Sequence, residues 1–401
     1  MRIALFHNAP SGGAKRSIYE WVQRLALNHT IDVYTLSTGA HSFCDIRPFV
    51  RQHRVFDFTP YRLFSSPWGR LNQLQNSRNL KNLTRIGYSI AVEIDSGDYD
   101  VVFANTCIYT FIPSLLQFVK RGSVYYLHEP FGKKFYRPIQ RPYLQTNSLR
   151  QTLDRLDPLI SLYRRRLATV QNKSVRRTKR LLANSQFTKE QMQLAFGVAT
   201  PVCYCGVNCD DFRPITNVAK EDYVLSVGEL SPRKGFDFIV ESIGKLPFAH
   251  RPKLVLASNS VQAAERTYIE QLAAQKQVSL QILTRLNTEE LVMLYNQARM
   301  CVYAPVMEPF GLVPLEAMSC ATPVIGVREG GVKESIVHEQ TGLLVERDPD
   351  QFAAAIQHLW ADPELVLEFG RAGRAHVLAH WTWDQSVASL EKHLIDCSNK
   401  N

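Results

Sequence analysis

At 401 residues, 45% hydrophobic and 21% charged, the chain has an ordinary globular composition and the length of two domains of roughly 200 residues each. No apolar run approaches the ~20 residues a bilayer span needs, so a helical membrane protein is excluded. The net charge of +10 is unevenly placed: residues 1–205 carry 29 Lys and Arg against 12 Asp and Glu, which leaves 18 against 25 for the rest. A basic first half joined to an acidic second half predicts two surfaces with different partners.

The opening MRIALFHNAP reads as a buried strand, because His7 and Asn8 interrupt the apolar run where a secretory core would continue. Strands are expected at Arg2–His7, Ile31–Leu36, Val101–Ala104, Val124–Leu127 and Leu181–Ala183. A second series is expected at Tyr223–Val227, Lys253–Ala257, Ser279–Leu283, Met300–Tyr303 and Pro323–Val327. Most are continuously apolar, as parallel strands covered on both faces must be. Helical periods fall between them, among others at Ala14–Leu27, Glu289–Gln297 and Pro349–Trp360. Strand and helix alternate twice over, which predicts an α/β protein of two doubly wound domains. The boundary falls near 205–220, where GVNCDDFRPITN is rich in turn formers, and Thr382–Ile395 reads as a final helix.

Two stretches of the first half stand apart. From Tyr125 to Tyr143 aromatic and basic residues interleave: Tyr125, Tyr126, Phe131, Lys133, Lys134, Phe135, Tyr136, Arg137, Arg141 and Tyr143. Leu153–Arg180 has the period of a long helix whose polar positions are mostly Arg and Lys. A charge run of this kind is either a solvated face or a contact with an anionic membrane surface, and the aromatic stretch suits interfacial insertion or a lid over an acceptor. Cys203, Cys205 and Cys209 lie close together, but their spacing lacks the paired CxxC units of common zinc sites, so a reduced, partly buried cluster is expected and no metal.

The segment with the most chemistry is APVMEPFGLVPLEAMSCATPVIG, residues 304–326. A strand should end near Ala304 and an apolar helix begin about Gly311, with Glu308 in the intervening loop and Glu316 one to two turns into the helix. The N–H groups of Gly311, Leu312 and Val313 then form an anion-binding nest suited to a diphosphate. Two ionised carboxylates beside it suit the paired hydroxyls of a sugar and a ribose.

This segment resembles the Glu-x7-Glu signature of glycosyltransferase family 4, with Glu308 and Glu316 at the two glutamate positions. Further motifs agree in order: Ser11-Gly12-Gly13 after the first strand, Ala183-Asn184-Ser185-x-Phe187-Thr188, Val227-Gly228-Glu229-Leu230-x3-Lys234-Gly235, Gly330-Gly331 with Glu334, and Thr341-Gly342-Leu343-Leu344-Val345. The resemblance runs from residue 1 to about 395. It implies a GT-B architecture: two Rossmann-like domains facing a cleft, with an acceptor-binding domain at 1–205, a donor-binding domain at 206–380, and a helix at 381–401 crossing back to the first domain.

By the same resemblance, Glu308 binds hydroxyls of the transferred sugar and Glu316 those of the ribose. Lys234 neutralises the diphosphate without a dissociable metal or other cofactor, and Gly12 and Gly13 approach the donor phosphates across the cleft. His128 stands at a strand end near the transferred sugar, and Phe310, Gly311, Leu312 and Val313 line the donor. The family usually has arginine where this chain has Glu229. Either Arg233 supplies that charge, or Glu229 turns away and leaves Lys234 alone. The implied activity is hexosyl transfer from a UDP- or GDP-sugar with retention at the anomeric carbon, by front-face displacement. The acceptor is a glycan or a lipid-linked sugar, in a protein that is cytoplasmic or peripheral to the inner face of a membrane. Two rival readings are a GT-B relative with other chemistry, such as an epimerase or phosphorylase, and a basic nucleic-acid-binding protein. The latter leaves the donor signature unexplained, so no nucleic-acid partner is expected.

Overall fold

The computed structural model describes residues 1–61, 71–129, 139–144 and 157–398. It holds two six-stranded sheets. The first is built from β1 (Arg2–Asn8), β2 (Thr30–Leu36), β3 (Gln52–Phe56), β4 (Val101–Cys107), β5 (Ser123–Leu127) and β6 (Arg180–Ala183). The second contains β7 (Glu221–Val227), β8 (Lys253–Ala257), β9 (Leu280–Leu283), β10 (Ala298–Tyr303), β11 (Val324–Val327) and β12 (Gly342–Val345). All ten expected strands are present, within three residues at each end. The two that the sequence reading left out have local causes. β3 is a polar edge strand, QHRVF, with no apolar run to betray it. β12, GLLV, follows a turn directly and opens on a glycine, a residue that weakens a strand.

Every strand pairing is parallel. The orders are β3-β2-β1-β4-β5-β6 and β12-β11-β10-β7-β8-β9, the same winding in both domains. In such a winding the chain turns in opposite directions from the central pair, which opens a crevice at the carboxyl ends of β1 and β4, and again at β7 and β10.

The domains are joined by more than a linker. One buried apolar cluster runs from Ile3, Trp21 and Phe103 through Cys203, Cys205 and Val207 to Leu225, Tyr303 and Leu315. At the crossing, the Val207 N–H donates to the Trp381 carbonyl at 2.8 Å. The last helix, Trp383–Ser398, then returns to the N-terminal domain. Trp21 Nε1 donates to Ser386 Oγ at 3.0 Å, Trp383 stands edge-on to Trp21, and Arg180 pairs with Asp396. The expected return helix is therefore found, three residues longer at its end.

The helix expected at Leu153–Arg180 is described from Pro158 to Arg177, capped by the Asp157 carboxylate. Arg164, Arg165, Arg166, Lys173, Arg176 and Arg177 are all exposed along it. Four residues of the aromatic and basic stretch need correction as interfacial ones. Tyr125 and Tyr126 are core residues of β5, and Arg141 and Tyr143 are hydrogen-bonded into the C-terminal domain. Phe131, Lys133, Lys134, Phe135, Tyr136 and Arg137 lie outside the described residues. The three cysteines are free thiols, Cys203 and Cys205 buried and Cys209 partly so: Cys205 Sγ meets Ser17 Oγ and the Tyr126 hydroxyl, and Cys209 Sγ the Val207 carbonyl. Burial pushes the Cys203 thiol up to about 12, so it is an inert apolar group.

Candidate active site

Three loops meet at the carboxyl edge of the C-terminal sheet, after β7, β10 and β11. In the first, Pro232–Lys234 forms a single 3-10 turn closed by Gly235 at φ 67°. A Cβ at Gly235 would lie 2.0 Å from the Ala304 carbonyl oxygen. Neither backbone can retreat, because the Val306 N–H already donates to the Arg233 carbonyl at 2.8 Å. Gly235→Ala is therefore expected to lower stability by at least ~2 kcal/mol, the left-handed cost plus the collision. Thermal and urea unfolding would report this, and an unchanged midpoint would contradict it.

This loop aims Lys234 at the second loop. Lys234 Nζ donates to Glu308 Oε1 at 3.0 Å and Oε2 at 2.9 Å, with 21% and 16% of the two side chains exposed. Glu308 is held from behind by Gly330 and Gly331. A Cβ on either would meet a backbone oxygen, of Glu308 or Pro309, at 2.3 Å. The Pro309 carbonyl also accepts from Ser185 Oγ of the N-terminal domain at 2.5 Å. Glu334 reaches across in the opposite direction. Its carboxylate accepts from the Gln186 and Phe187 N–H groups at 2.8 and 2.9 Å, capping the helix Gln186–Phe196, and from the Tyr204 hydroxyl at 2.9 Å. An anion at a helix N-terminus satisfies donors that would otherwise be orphaned. Two of the motifs read from the sequence are thus two halves of one interdomain contact.

Glu316 is 4% exposed. Its Oε1 accepts from Arg16 Nη1 at 2.7 Å, across the cleft, and its Oε2 from the Tyr295 hydroxyl at 2.9 Å. Glu316 beside it raises the Arg16 pKa, and burial drives the Tyr295 hydroxyl well above its ordinary range, with Glu316 adding to the effect. The helix that carries Glu316 is shorter than expected: it runs Val313–Ser319, so Glu316 sits in the first turn. Pro314 lies inside that turn, where its missing N–H costs the helix nothing, and it adds no donor to the nest expected at Gly311–Val313. Gly311 has φ 90°, and a Cβ there would press on the Tyr303 ring at 3.0 Å, so packing demands glycine as well as any ligand.

The remaining expected residues divide. Gly12 and Gly13 face open space across from the C-terminal domain, and Gly12 has φ 142°. Arg233 spans the cleft to Glu129 at 3.9 Å. Glu229 accepts from Ser260 Oγ at 3.3 Å and from Gln262 Nε2 at 3.5 Å. The Phe310 side chain does not line the cleft: it packs with Tyr204 and Trp381 at the domain crossing. Leu312 and Val313 are half-buried against the core. The His128 ring is buried beside Tyr126 and Trp21, and its Nε2 donates to Asn105 Oδ1 at 3.0 Å. Burial lowers the His128 pKa to about 3, so the ring is neutral at any working pH.

Residues 11–211 match the family described as Glycosyltransferase Family 4, and residues 209–376 the one described as Glycosyl transferases group 1. The chain belongs to glycosyltransferase family 4. Among its relatives is the human alpha-1,3/1,6-mannosyltransferase ALG2, 29% identical over 239 residues, 53% of this chain and 58% of that protein. The chain spans about half the length of the curated relatives it matches. Among solved structures, sucrose-phosphate synthase from Thermosynechococcus elongatus superposes with a TM-score of 0.74 at 21% identity, covering 99% of this chain and 98% of that one. Anabaena Alr3699/HepE in complex with UDP and glucose gives 0.72 at 19%, covering 99% and 100%. These likenesses establish the GT-B fold for this family 4 chain.

Three residues that complete the site or tie the domains together beside it escaped the sequence reading. Arg16 follows the Gly12-Gly13 pair by three positions, and a basic residue in the first turn after a glycine loop was a usable signal. Tyr295 carried none, because only the packing of helix Thr288–Gln297 brings it to Glu316. Arg141 was hidden within a basic run.

Proposed function

We propose that this chain transfers a sugar from a nucleoside diphosphate sugar to an acceptor hydroxyl, with retention of anomeric configuration and without a metal. The observation that carries this reading is the convergence of Glu308, Lys234 and Glu316 at the switch point of the C-terminal sheet, facing Gly12, Gly13 and Arg16 across the cleft. Such a crevice is where doubly wound sheets hold ligands. The ligands of the HepE structures, UDP with glucose and UDP-glucose, support a nucleotide-sugar donor.

In this reading Glu316, already an acceptor for two donors, takes hydroxyls of the ribose. Glu308 takes hydroxyls of the transferred sugar. Lys234 Nζ has three N–H donors, and it shifts from Glu308 toward the diphosphate as the leaving group gains charge. Arg233 adds a second positive charge on the same loop. Gly12 and Gly13 let the N-terminal loop close on the phosphates. His128, neutral and fixed by Asn105, shapes the acceptor wall without exchanging a proton. The leaving phosphate accepts the proton of the acceptor hydroxyl on the front face, while the enzyme supplies position and charge.

The acceptor we assign is a glycan or a lipid-linked sugar, reached from the N-terminal domain. No described helix is long and apolar enough to cross a membrane, and the exposed basic face of Pro158–Arg177 would bring that domain to an anionic surface. Binding to anionic vesicles should then weaken steeply between about 50 and 200 mM salt, as expected for screening over about 10 Å; equal binding to neutral vesicles would remove this part. The transfer itself is tested with radiolabelled UDP- and GDP-sugars. No transfer, no donor hydrolysis and no nucleotide-induced thermal shift would sink it.

A further inference from the structure

Arg141 is the most heavily bonded side chain among the described residues, and none of the roles above uses it. It belongs to the N-terminal domain, in the segment 139–144, yet its side chain is only 3% exposed because it is sunk into the C-terminal domain. Nε donates to Glu265 at 3.0 and 3.2 Å, and Nη2 to the same carboxylate at 3.0 Å. Nη1 and Nη2 grip the two oxygens of Asp237, each at 2.9 Å, as a bidentate fork. Nη1 also donates to the Gln140 carbonyl, and Nη2 to the Pro232 carbonyl at 3.2 Å. The Tyr143 hydroxyl donates to Glu265, and the Tyr268 ring lies under the guanidinium.

The two partners Pro232 and Asp237 bracket the turn that carries Arg233 and Lys234. Arg141 therefore clamps this turn at both ends from the opposite domain. A guanidinium suits such a clamp, since five N–H donors in a rigid plane satisfy two carboxylates and two carbonyls at once, which an ammonium cannot do. Glu265 is fully buried, so withdrawing Arg141 would leave it and Asp237 facing each other without a counter-charge.

We propose that the segment 139–144 is an interdomain strap, and that Arg141 is a positioning residue which sets the phosphate-facing turn Pro232–Lys234 for the donor diphosphate. The donor part rests on the function proposed above; the strap itself does not. Losing the fork lets the turn drift, so Lys234 meets the second phosphate less often, while contacts to the nucleoside are untouched.

The test compares UDP with UMP, and GDP with GMP, by calorimetry on the full chain. The increment in affinity from the second phosphate should fall about tenfold in Arg141→Lys, the worth of one charge-assisted hydrogen bond, and likewise in Asp237→Asn. Tyr143→Phe loosens Glu265 without touching the turn, so it should lower the unfolding temperature and keep the increment. Hydrogen exchange of the amides at 233–237 gives a ligand-free readout: faster in Arg141→Lys, unchanged in Tyr143→Phe. If folded Arg141→Lys and Asp237→Asn keep both the increment and the native exchange rates, the proposal is overturned. If the unsubstituted chain binds no nucleotide, the donor role falls, and exchange alone decides the strap.

Discussion

Glu316→Gln is expected to weaken UDP or GDP binding about a hundredfold, since a carboxylate holding two ribose hydroxyls contributes two charge-assisted hydrogen bonds of roughly 1.5 kcal/mol or more each. The substitution keeps the volume of a side chain that is 4% exposed, so no cavity confuses the result. It does disturb two partners. The Arg16 guanidinium loses its counter-ion at 2.7 Å, and the Tyr295 hydroxyl exchanges a carboxylate for an amide. A modest fall in unfolding temperature should accompany the loss of affinity. Tyr295→Phe separates the two effects: it removes the same buried hydrogen bond while leaving the carboxylate free to bind. Calorimetry that gave Glu316→Gln near-normal affinity for the nucleoside diphosphate would refute the ribose role.

Lys234→Ala should act on rate more than on affinity. A positive charge facing the leaving phosphate is worth most when charge has developed there, and deleting one such donor costs about 100- to 1000-fold in kcat. The Lys234–Glu308 pair is mostly buried, so deleting the lysine leaves Glu308 without its counter-charge and should also cost about 1–3 kcal/mol of stability, less than the rate loss is worth. A rate loss that came with an equal loss of folding would point to Lys234 as a structural partner of Glu308. Steady-state kinetics beside a thermal melt distinguish the two outcomes. Gly235 supplies the complementary case, since its substitution moves the turn itself and should damage stability first.

How much of this was legible in the chain depends on range. Continuous apolar runs such as Val101–Ala104 and Met300–Tyr303 announced buried parallel strands, because parallel sheets are covered on both faces. The polar edge strand Gln52–Phe56 had no such mark. Glu308, Glu316 and Lys234 stood in motifs with fixed spacing, and the structure brings the expected donor loops together after β7 and β10. Phe310 shared that motif, yet its ring turned to Tyr204 and Trp381. Local wording cannot say which way a side chain faces.

The basic and aromatic stretch shows the limit most clearly. Charge interleaved with aromatic rings reads the same in a membrane-facing loop and in a buried ionic strap. Arg141 became the second once Asp237 and Glu265, about 100 residues or more away in sequence, were placed around it. The same holds for Arg16 and Glu316, separated by 300 residues. By itself the sequence determined the two doubly wound domains, because strand periodicity and turn chemistry are short-range properties, and its local motifs carried the resemblance to the family. Only the tertiary structure decided which charges meet across the cleft, because an ion pair depends on distances that chain spacing does not encode.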